Sequence, residues 1–516
     1  MNEGYTTGGI IPFGSSRAAG ILLAVSSLPS PYGIGSLGEA AREWLRFLKD
    51  SGQRYWQILP LGPTGWGDSP YQSFSAFAIS SYYIDLDALI ARGLLLPQEV
   101  NAVRWGAKAG AVDYAALYRR REPLLRAAWA RFDAQARQNA QAHQIAFDQF
   151  CAQNRFWLDD YSLFMAIKKK HRGRSWLEWD KPLKLREDAA MRKARRTLAP
   201  DIRYYSFTQY IAYTQWQELK QYAQSLGVAI IGDMPIYVAV DSADAWANSE
   251  LFLLDEERRP LRVAGCPPDS FTSGGQLWGN PLYRWDKIAE TGFAWWIARL
   301  RFNFTLYHIV RIDHFRGFER FFSIDAHAAD ASGGEWVKGP GMAFIEAVNR
   351  ALPGMAIIAE DLGFLTDEVR ALLAASGYPG MKVLQFAFDS REPGSYMPYT
   401  YERNCVVYTG THDNSTTVGW FKSAPSESVQ LAIEFLGINH RKQGPGAFIR
   451  CALASVAHTA IIPLQDYLGL DDRARVNTPS TLGGNWQWRM LPGTANAALA
   501  REIRRLTGLF GRAVTA

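Results

Sequence analysis

Eight short apolar runs recur along the chain, each five to seven residues long and bounded by turn residues. They are rich in Val and Ile, as is typical of strands buried on both faces. Their positions are 20–25, 55–59, 228–233, 307–313, 356–360, 382–387, 405–409 and 459–465. Patterns with a helical period lie between them, as at 39–50, 208–226 and 341–351. Eight strands alternating with helices predict a parallel sheet closed as a (β/α)₈ TIM barrel.

The uneven spacing of these runs predicts one catalytic barrel over residues 1–516 with large inserted segments. A helical subdomain is expected at about 85–205, a lid-like loop with a further subdomain at 236–295, and a small excursion at 316–340. Insertions after strand ends fall on the face of a barrel that carries active sites. About 50 residues of mostly helical pattern follow the last run, so no C-terminal β-sandwich domain is expected.

Composition indicates an ordinary globular protein, with 48% hydrophobic and 21% charged residues in a chain of 516. The net charge of +6 owes much to two basic segments, 168–174 and 192–196. Acidic residues are interleaved with them, which favours a solvated helix surface over a nucleic-acid site. We therefore expect no nucleic-acid partner.

The cysteines are widely separated and show neither a CxxC pair nor a Cys/His metal pattern. That favours a reducing compartment. No secretory signal is evident at the N-terminus, and no apolar run approaches the roughly 20 residues that cross a bilayer. The expectation is a cytoplasmic protein with no membrane contact.

Carboxylates follow three of the predicted strands, at the point where each strand ends. The motifs are Arg311-Ile312-Asp313-His314, Glu360-Asp361 and His412-Asp413. The carboxyl ends of barrel strands meet on one face, so these side chains should converge there. Paired carboxylates are what glycosidic-bond chemistry requires, since one attacks the anomeric carbon and the other moves a proton.

Arg311 and Asp313 are two residues apart on a predicted strand and should leave the same face. A guanidinium beside Asp313 should lower the pKa of that carboxyl, as a nucleophile needs, although a structural ion pair is the alternative. Glu360, among apolar walls and other acids, should have a raised pKa suited to a general acid. Its alternative is a helix N-cap network with Asp361.

His412 and Asp413 follow the seventh run and are either loop-capping residues or a third part of the site. Their position at a third strand end favours the site. Asp233, which ends the third run, is expected to support the other acids by hydrogen bonding or to have a structural role.

At these motifs the chain resembles the 4-α-glucanotransferases of the amylomaltase, or disproportionating-enzyme, type, which belong to the α-amylase clan. The likeness rests on "VRIDHFRGF", "IAEDLG" and "YTGTHDN". It extends in the same order to "RYWQILPLGPTGWGDSPYQSFSAFA", "IIGDMPIYVA", "PLYRWD", "GMKVLQFAF" and "GGNWQWR". It therefore covers nearly the whole chain.

The resemblance implies that Asp313 is the nucleophile, Glu360 the acid/base and Asp413 a third carboxylate that grips sugar hydroxyls. It also implies that Tyr71 stacks beneath the reacting sugar and that Trp278 lies in a mobile loop over the glucan. The full set of expected substrate-binding residues is Arg311, His412, Tyr71, Asp233, His314, Trp278, Gln276, Asn485 and Trp66.

Three positions depart from the family pattern: Ala24 stands where His is common, Ser270 where an aromatic is usual, and Trp66 where Tyr is more usual. These departures affect loop stiffness, acceptor preference and product size, and leave the acids in place.

The function implied is 4-α-glucanotransfer by a retaining double displacement, with no metal or organic cofactor. The expected partners are maltooligosaccharides, starch- or glycogen-type α-1,4-glucans, and glucose as acceptor. A monomer or weak homo-oligomer is expected. An α-1,4-glucan hydrolase with the same carboxylates is the first alternative, and a catalytically silent glucan-binding barrel is the second.

Overall fold

The computed structural model describes residues 13–65, 67–138, 141–268, 274–363, 365–389 and 396–514. Its strands are, in chain order, β1 (Ala18–Leu22), β2 (Tyr55–Gln57), β3 (Ala229–Met234), β4 (Arg262–Cys266), β5 (Gln276–Pro281), β6 (Ile309–Ile312), β7 (Arg320–Asp325), β8 (Glu335–Lys338), β9 (Ala356–Ala359), β10 (Gly380–Val383), β11 (Cys405–Tyr408) and β12 (Thr459–Pro463).

The α-helices account for most of the remaining regular structure. They are α1 (Glu39–Asp50), α2 (Leu86–Ala91), α3 (Pro97–Asn101), α4 (Tyr114–Gln138), α5 (Gln141–Gln153), α6 (Arg155–Lys170), α7 (Lys181–Lys184), α8 (Asp188–Thr197), α9 (Ala199–Ser225), α10 (Ala243–Ala247), α11 (Trp285–Glu290), α12 (Ala294–Leu306), α13 (Gly341–Ala351), α14 (Asp367–Ser376), α15 (Leu384–Ala387), α16 (Thr417–Ser423), α17 (Ser426–Leu436), α18 (Gly444–Ala454), α19 (Leu464–Tyr467) and α20 (Ala497–Leu509). No helix in these ranges is both long and apolar enough to span a membrane.

Eight of the strands form one parallel sheet in the order β10-β11-β12-β1-β2-β3-β6-β9. They are short, rich in Ile and Val, and buried along most of their length. Helices cover the outer face, where Trp216 of α9 belongs to one buried hydrophobic cluster with Ile230 of β3 and Val310 of β6. The predicted (β/α)₈ barrel is confirmed. Among the described residues after β12 there are helices and no strand.

Alternation along the barrel strands decides which side chains reach its interior. On β6, Ile309 packs in the interior cluster with Ile231 of β3. Val310 and Ile312 pack between the barrel and the helices. Because successive side chains of a strand point to opposite faces, Arg311 lies on the inward face with Ile309. The rows of inward-facing side chains on neighbouring strands therefore end in charged residues at the C-terminal opening of the barrel.

A side chain, Asp361, helps to join the two ends of this sheet, β9 and β10. The amide of Ala359 donates to the carbonyl of Pro379 at 3.0 Å. The amide of Met381 donates to Oδ1 of Asp361 at 2.6 Å. A Cβ at Gly380 would lie 2.8 Å from Oδ1 of Asp361, so glycine makes room for the carboxylate. A carboxylate thus takes the place of a strand carbonyl at the seam of the barrel.

A second sheet of four antiparallel strands has the order β5-β4-β7-β8. Strands β4 and β5 follow β3, and β7 and β8 follow β6, so the sheet combines parts of two predicted insertions. Val263 pairs with Ile324 across the central strands. The sequence did not predict this sheet, whose central pairing of β4 with β7 joins residues about 60 positions apart in the chain.

The predicted runs match the barrel strands within a few residues, with one clear misplacement. The run 382–387 was expected to be a strand, but the strand is Gly380–Val383 and Leu384–Ala387 is helical. Continuous burial makes a strand end and a following helical turn look alike in sequence. Helices α2 to α9 occupy the segment between β2 and β3. The division into a barrel with three insertions stays a prediction.

We predict that Gly232→Ala destabilises the barrel. A Cβ at this position of β3 would lie 2.1 Å from ring atoms of Tyr307, a ring only 3% exposed and unable to move aside. Such overpacking costs about 1–3 kcal/mol. Gly333→Ala is the control, because its Cβ would meet no atom within 4 Å. Thermal unfolding at one scan rate should show a lower Tm only for Gly232→Ala, and equal values for the two variants would contradict the prediction.

Candidate active site

A buried ion pair lies at the C-terminal mouth of the barrel. Asp233 and Arg311 are register partners on the neighbouring strands β3 and β6. Nη1 of Arg311 contacts both carboxylate oxygens of Asp233 at 2.6 Å. The two side chains are 4% and 0% exposed, respectively. A fully buried charge is costly unless it is paired, so each of these groups compensates the burial of the other.

Tyr71, in the loop after β2, is held by the same ion pair. Its hydroxyl donates to Oδ2 of Asp233 at 2.8 Å. Its ring stacks on the imidazole of His412, with the ring centres 5.3 Å apart and the planes at 13°. Burial, and then the charge of Asp233, raise the pKa of Tyr71 well above its usual value, so it stays a donor.

Asp313 and Glu360 emerge side by side because Ile312 and Ala359, the residues before them, are register partners on β6 and β9. Nη1 of Arg311 lies 3.1 Å from Oδ1 of Asp313, and Nη2 lies 3.8 Å from Oε2 of Glu360. The Asp313 and Glu360 side chains are 26% and 13% exposed, whereas Arg311 is 4% exposed. Both carboxylates are therefore presented to solvent by one guanidinium beneath them.

Burial raises the pKa of both carboxyls. The pKa of Asp313 rises to about 7, because burial outweighs the opposing charge of Arg311. The pKa of Glu360 rises to about 8 through burial and then the charge of Asp313. Arg311 does lower the pKa of Asp313, as expected, but burial raises it by more, so the net pKa is raised. The two shortest contacts of Arg311 are made to Asp233 and not to Asp313. Both carboxyls thus share Arg311 as a neighbour and have raised pKa values, and their catalytic roles stay a prediction.

The backbone after β6 orients Glu360. The amide of His314 donates to Oε2 of Glu360 at 2.5 Å. His314 has a left-handed backbone, with φ of +51°, which turns its amide toward that carboxylate. The alternative of a helix N-cap network at Glu360-Asp361 is wrong: helix α14 is capped by Thr366, and Asp361 is used at the barrel seam.

His412 and Asp413 lie in the loop after β11. Nε2 of His412 is 3.3 Å from Oδ2 of Asp413, whose side chain is 44% exposed. Burial lowers the pKa of His412, so the imidazole is neutral near pH 7. The alternative of a loop-capping pair is wrong, because the loop is closed by Asn414, whose Oδ1 accepts from the amide and hydroxyl of Thr411.

Two residues that the sequence did not single out anchor Asp413. Nδ2 of Asn477 donates to Oδ1 of Asp413 at 2.6 Å. Nη2 of Arg475 donates to the backbone carbonyl of Asp413 at 2.6 Å. They lie after the short 3-10 turn that follows α19, not at a strand end. Such positions follow no hydrophobic periodicity, so the sequence pattern does not indicate them.

Trp486 is a third missed residue. Its ring lies 5.8 Å from Tyr71 and 6.0 Å from His412. Its backbone has φ of +64°, a strained conformation for a bulky residue. The preceding Gly483 and Gly484 also have positive φ, and this glycine pair in "GGNWQWR" was the available signal.

The other predicted residues are placed as follows. Gln276 and Trp278 are on β5, where the Trp278 indole donates to Oε1 of Gln276 at 3.0 Å. The Trp278 ring meets the His314 ring edge to face at 4.9 Å, which connects the second sheet to the acids. The described hydrogen bonds of the Asn485 side chain stay within its own loop, 478–485.

Trp66 and Ser270 lie outside the described residues. Ala24 follows β1 and lines, with His412 and Arg475, a small cavity of about 20 Å³. In the described part of the chain, no group of three or more His, Cys, Asp or Glu residues is arranged to hold a metal ion.

Comparisons with known proteins agree with this geometry. Residues 23–494 match the protein family described as 4-alpha-glucanotransferase. The 4-alpha-glucanotransferase of Clostridium butyricum is 44% identical over 95% of this chain and 99% of its own length. That of Thermus thermophilus is 47% identical over 95% of this chain and 98% of its own length.

A solved structure gives the same result. The amylomaltase from Streptococcus agalactiae, in complex with acarbose, is 38% identical and has a TM-score of 0.93 over 96% of this chain and 100% of that one. The family, the fold and the transferase class predicted from the sequence are thereby confirmed. The chain belongs to the 4-alpha-glucanotransferase family.

Proposed function

We propose that this site transfers α-1,4-glucan segments from a donor maltooligosaccharide or glucan to the 4-hydroxyl of an acceptor, with Asp313, Glu360 and Asp413 as the catalytic carboxylates. The observation that carries the proposal is the contact of one guanidinium, Arg311, with both Asp313 and Glu360 at the strand ends. Retaining glycosidases use two carboxyl groups about 5–5.5 Å apart on either side of the scissile bond.

In the first step, the Asp313 carboxylate attacks the anomeric carbon while Glu360 gives its proton to the glycosidic oxygen. The bond to the leaving chain breaks and a covalent glucosyl-enzyme forms. Glu360 has the higher pKa of the two, about 8, so it keeps the proton that the pair shares near pH 7. Asp313 is then the ionised partner, as the attack requires.

In the second step, the ionised Glu360 takes the proton from the 4-hydroxyl of an acceptor. That oxygen attacks the anomeric carbon, the bond to Asp313 breaks, and an α-1,4 bond is restored. The amide of His314 on Oε2 of Glu360 supports this step, because a donor stabilises the carboxylate while it waits for the acceptor.

The surrounding residues have sugar-binding roles in this proposal. Asp413 accepts from sugar hydroxyls in the transition state, and the neutral His412 beside it donates. Tyr71, fixed by Asp233, presents its ring as a stacking platform. Arg311 and His314 complete the surroundings of the reacting sugar. Gln276, Trp278 and Asn485 bind the glucan further from the reacting bond, and the same binding role is proposed for Trp66 from the sequence alone.

Transfer rather than hydrolysis requires a site that holds an acceptor sugar and limits water. The chain offers aromatic groups for this at Trp278, against His314, and at Trp486, against Tyr71. We infer that starch- or glycogen-type α-1,4-glucans and maltooligosaccharides are donors and that glucose is an acceptor. A monomer or weak homo-oligomer in the cytoplasm, without nucleic-acid or membrane partners, is part of the same proposal.

Maltotriose distinguishes the candidate activities. We expect free glucose and oligosaccharides longer than maltotriose to appear together while the total number of reducing ends stays constant. Chromatography of the products with a reducing-end assay measures both. A steady rise in reducing ends would establish hydrolysis instead, and unchanged maltotriose would establish a binding protein. Asp313→Asn serves as the inactive control.

The leaving group separates the roles of the two carboxyls. We expect Glu360→Gln to lose about 10²–10⁴-fold in kcat on maltotriose, because no acid assists bond breaking. On α-maltosyl fluoride the same variant should form the covalent maltosyl-enzyme rapidly, since fluoride leaves without a proton. Asp313→Asn should be inactive on both substrates. The exposed Glu368→Gln, on α14, is the matched control and should retain activity. A Glu360→Gln variant equally impaired on both substrates would contradict the assignment.

The pKa values also predict a bell-shaped pH dependence of kcat/KM. Activity needs Glu360 protonated, so it falls as pH rises through about 8. It needs Asp313 ionised, so it falls as pH drops through about 7. With the fluoride substrate, Glu360→Gln should lose the alkaline limb and keep the acid limb. Persistence of the alkaline limb in that variant would assign it to another group.

A further inference from the structure

The segment 475–477 makes three hydrogen bonds to the His412-Asp413 pair. Nδ2 of Asn477 donates to Oδ1 of Asp413 at 2.6 Å. The amide of Asn477 donates to the carbonyl of His412 at 3.1 Å. Nη2 of Arg475 donates to the carbonyl of Asp413 at 2.6 Å. Side chain and backbone of the pair are thus held from a single segment.

That segment is itself rigidly connected. Nε of Arg475 donates to the carbonyl of Asn477 at 2.7 Å, which closes the segment on itself. The amide of Trp486 donates to the carbonyl of Val476 at 2.7 Å. The ring of Trp486 then packs beside Tyr71 and His412. The position of Asn477 is therefore tied to the aromatic wall of the sugar pocket.

A carboxylate on an exposed loop needs such a contact to act in a fixed direction. The Asp413 side chain is 44% exposed, far more than Asp313 at 26% or Glu360 at 13%. Arg311 contacts Asp313 and Glu360, whereas the Asp413 carboxylate lies 3.3 Å from the neutral imidazole of His412, and Arg475 donates to the backbone carbonyl of Asp413. Asn477 is the group that holds one oxygen of Asp413 and leaves the other toward the pocket.

We propose that Asn477 is the positioning residue of the third carboxylate: its amide fixes Oδ1 of Asp413 so that Oδ2, beside His412, receives the hydroxyls of the reacting sugar. The role of Asn477 rests on the proposed function in one respect, namely that the reacting sugar lies over Asp313. A contact that strengthens in the transition state affects kcat more than KM. Losing the anchor should therefore lower kcat about tenfold or more, with little change in KM.

Asn477→Asp gives the sharper test because it conserves shape and removes the donor. It places a second carboxylate against Oδ1 of Asp413. Two adjacent carboxylates share one proton at acid pH, and that proton restores a donor to Asp413. Both ionise at higher pH and repel. The other ionisable groups that interact with Asp413 are His412, Asp313, Arg475 and Tyr71, and all four are present in wild type and variant, so the ratio of the two kcat values isolates the substitution.

The experiment measures kcat and KM for total maltotriose cleavage from about pH 5 to 8, together with Tm, for wild type, Asn477→Ala and Asn477→Asp. Asn404→Asp is the matched control, because Asn404 is exposed and donates only to the carbonyl of Gly377 at 3.2 Å. We expect Asn477→Ala to lose kcat at all pH values. We expect the loss of kcat in Asn477→Asp, relative to wild type, to become smaller as pH falls. The ratio of the Asn404→Asp kcat to the wild-type kcat should stay constant over the same pH range.

Each result decides between the inferences. Wild-type kcat in both Asn477 variants would overturn the positioning role. So would a deficit in Asn477→Asp that is independent of pH and follows a loss of Tm, because that indicates a purely structural contact. Total cleavage is measured whether water or a glucan is the acceptor. Hydrolysis by the wild type would therefore overturn the proposed transfer and leave the role of Asn477 standing.

Discussion

The ion pair of Arg311 and Asp233 is the interaction on which the rest of the site depends. It exists because the two residues are in register on neighbouring strands and share the inward face of the barrel. With side chains 4% and 0% exposed, neither charge could remain alone, and breaking such a pair typically costs about 3–5 kcal/mol. Asp233 also fixes Tyr71, and Arg311 lies under Asp313 and Glu360. One buried pair thus contacts Tyr71, Asp313 and Glu360 together.

The geometry of that pair also explains the electrostatics of the acids. Arg311 makes its two shortest contacts, at 2.6 Å, to Asp233, and longer ones, 3.1 and 3.8 Å, to Asp313 and Glu360. Its charge is therefore largely compensated before the reacting carboxyls are reached. Burial then raises the pKa of both, to about 7 and about 8. If the guanidinium contacted Asp313 alone, it would keep that carboxyl ionised. Asp313 and Glu360 would then share a single proton less readily.

Site residues on the barrel strands could be predicted from the hydrophobic pattern of the sequence, whereas those in loops could not. The apolar runs located the barrel strands and hence Asp233, Arg311, Asp313 and Glu360, because strand period and register are local and repetitive. Asn477 and Trp486 act through loops whose path depends on distant partners, Asp413 and Tyr71. The pairing of β4 with β7 and the seam at Asp361 likewise join segments that no local pattern relates. Motif likeness extended the prediction to Tyr71 and Trp278, where physical pattern alone gave no reason to choose them.

This division has a chemical consequence. Asp313 and Glu360 directly follow register-paired strand residues, so their relative position is set by the barrel and changes only if the barrel does. Asp413, Trp486 and Trp278 are placed by a loop after β11, the segment 475–486 and the second sheet. In the proposed mechanism, bond making and breaking thus rest on the rigid part of the fold. In the same mechanism, the choice of donor, acceptor and chain length rests on parts that can vary without disturbing the buried ion pair. Ala24, one of the departures from the family pattern, lines the small cavity with His412 and Arg475 and takes no part in the contacts described for the buried ion pair.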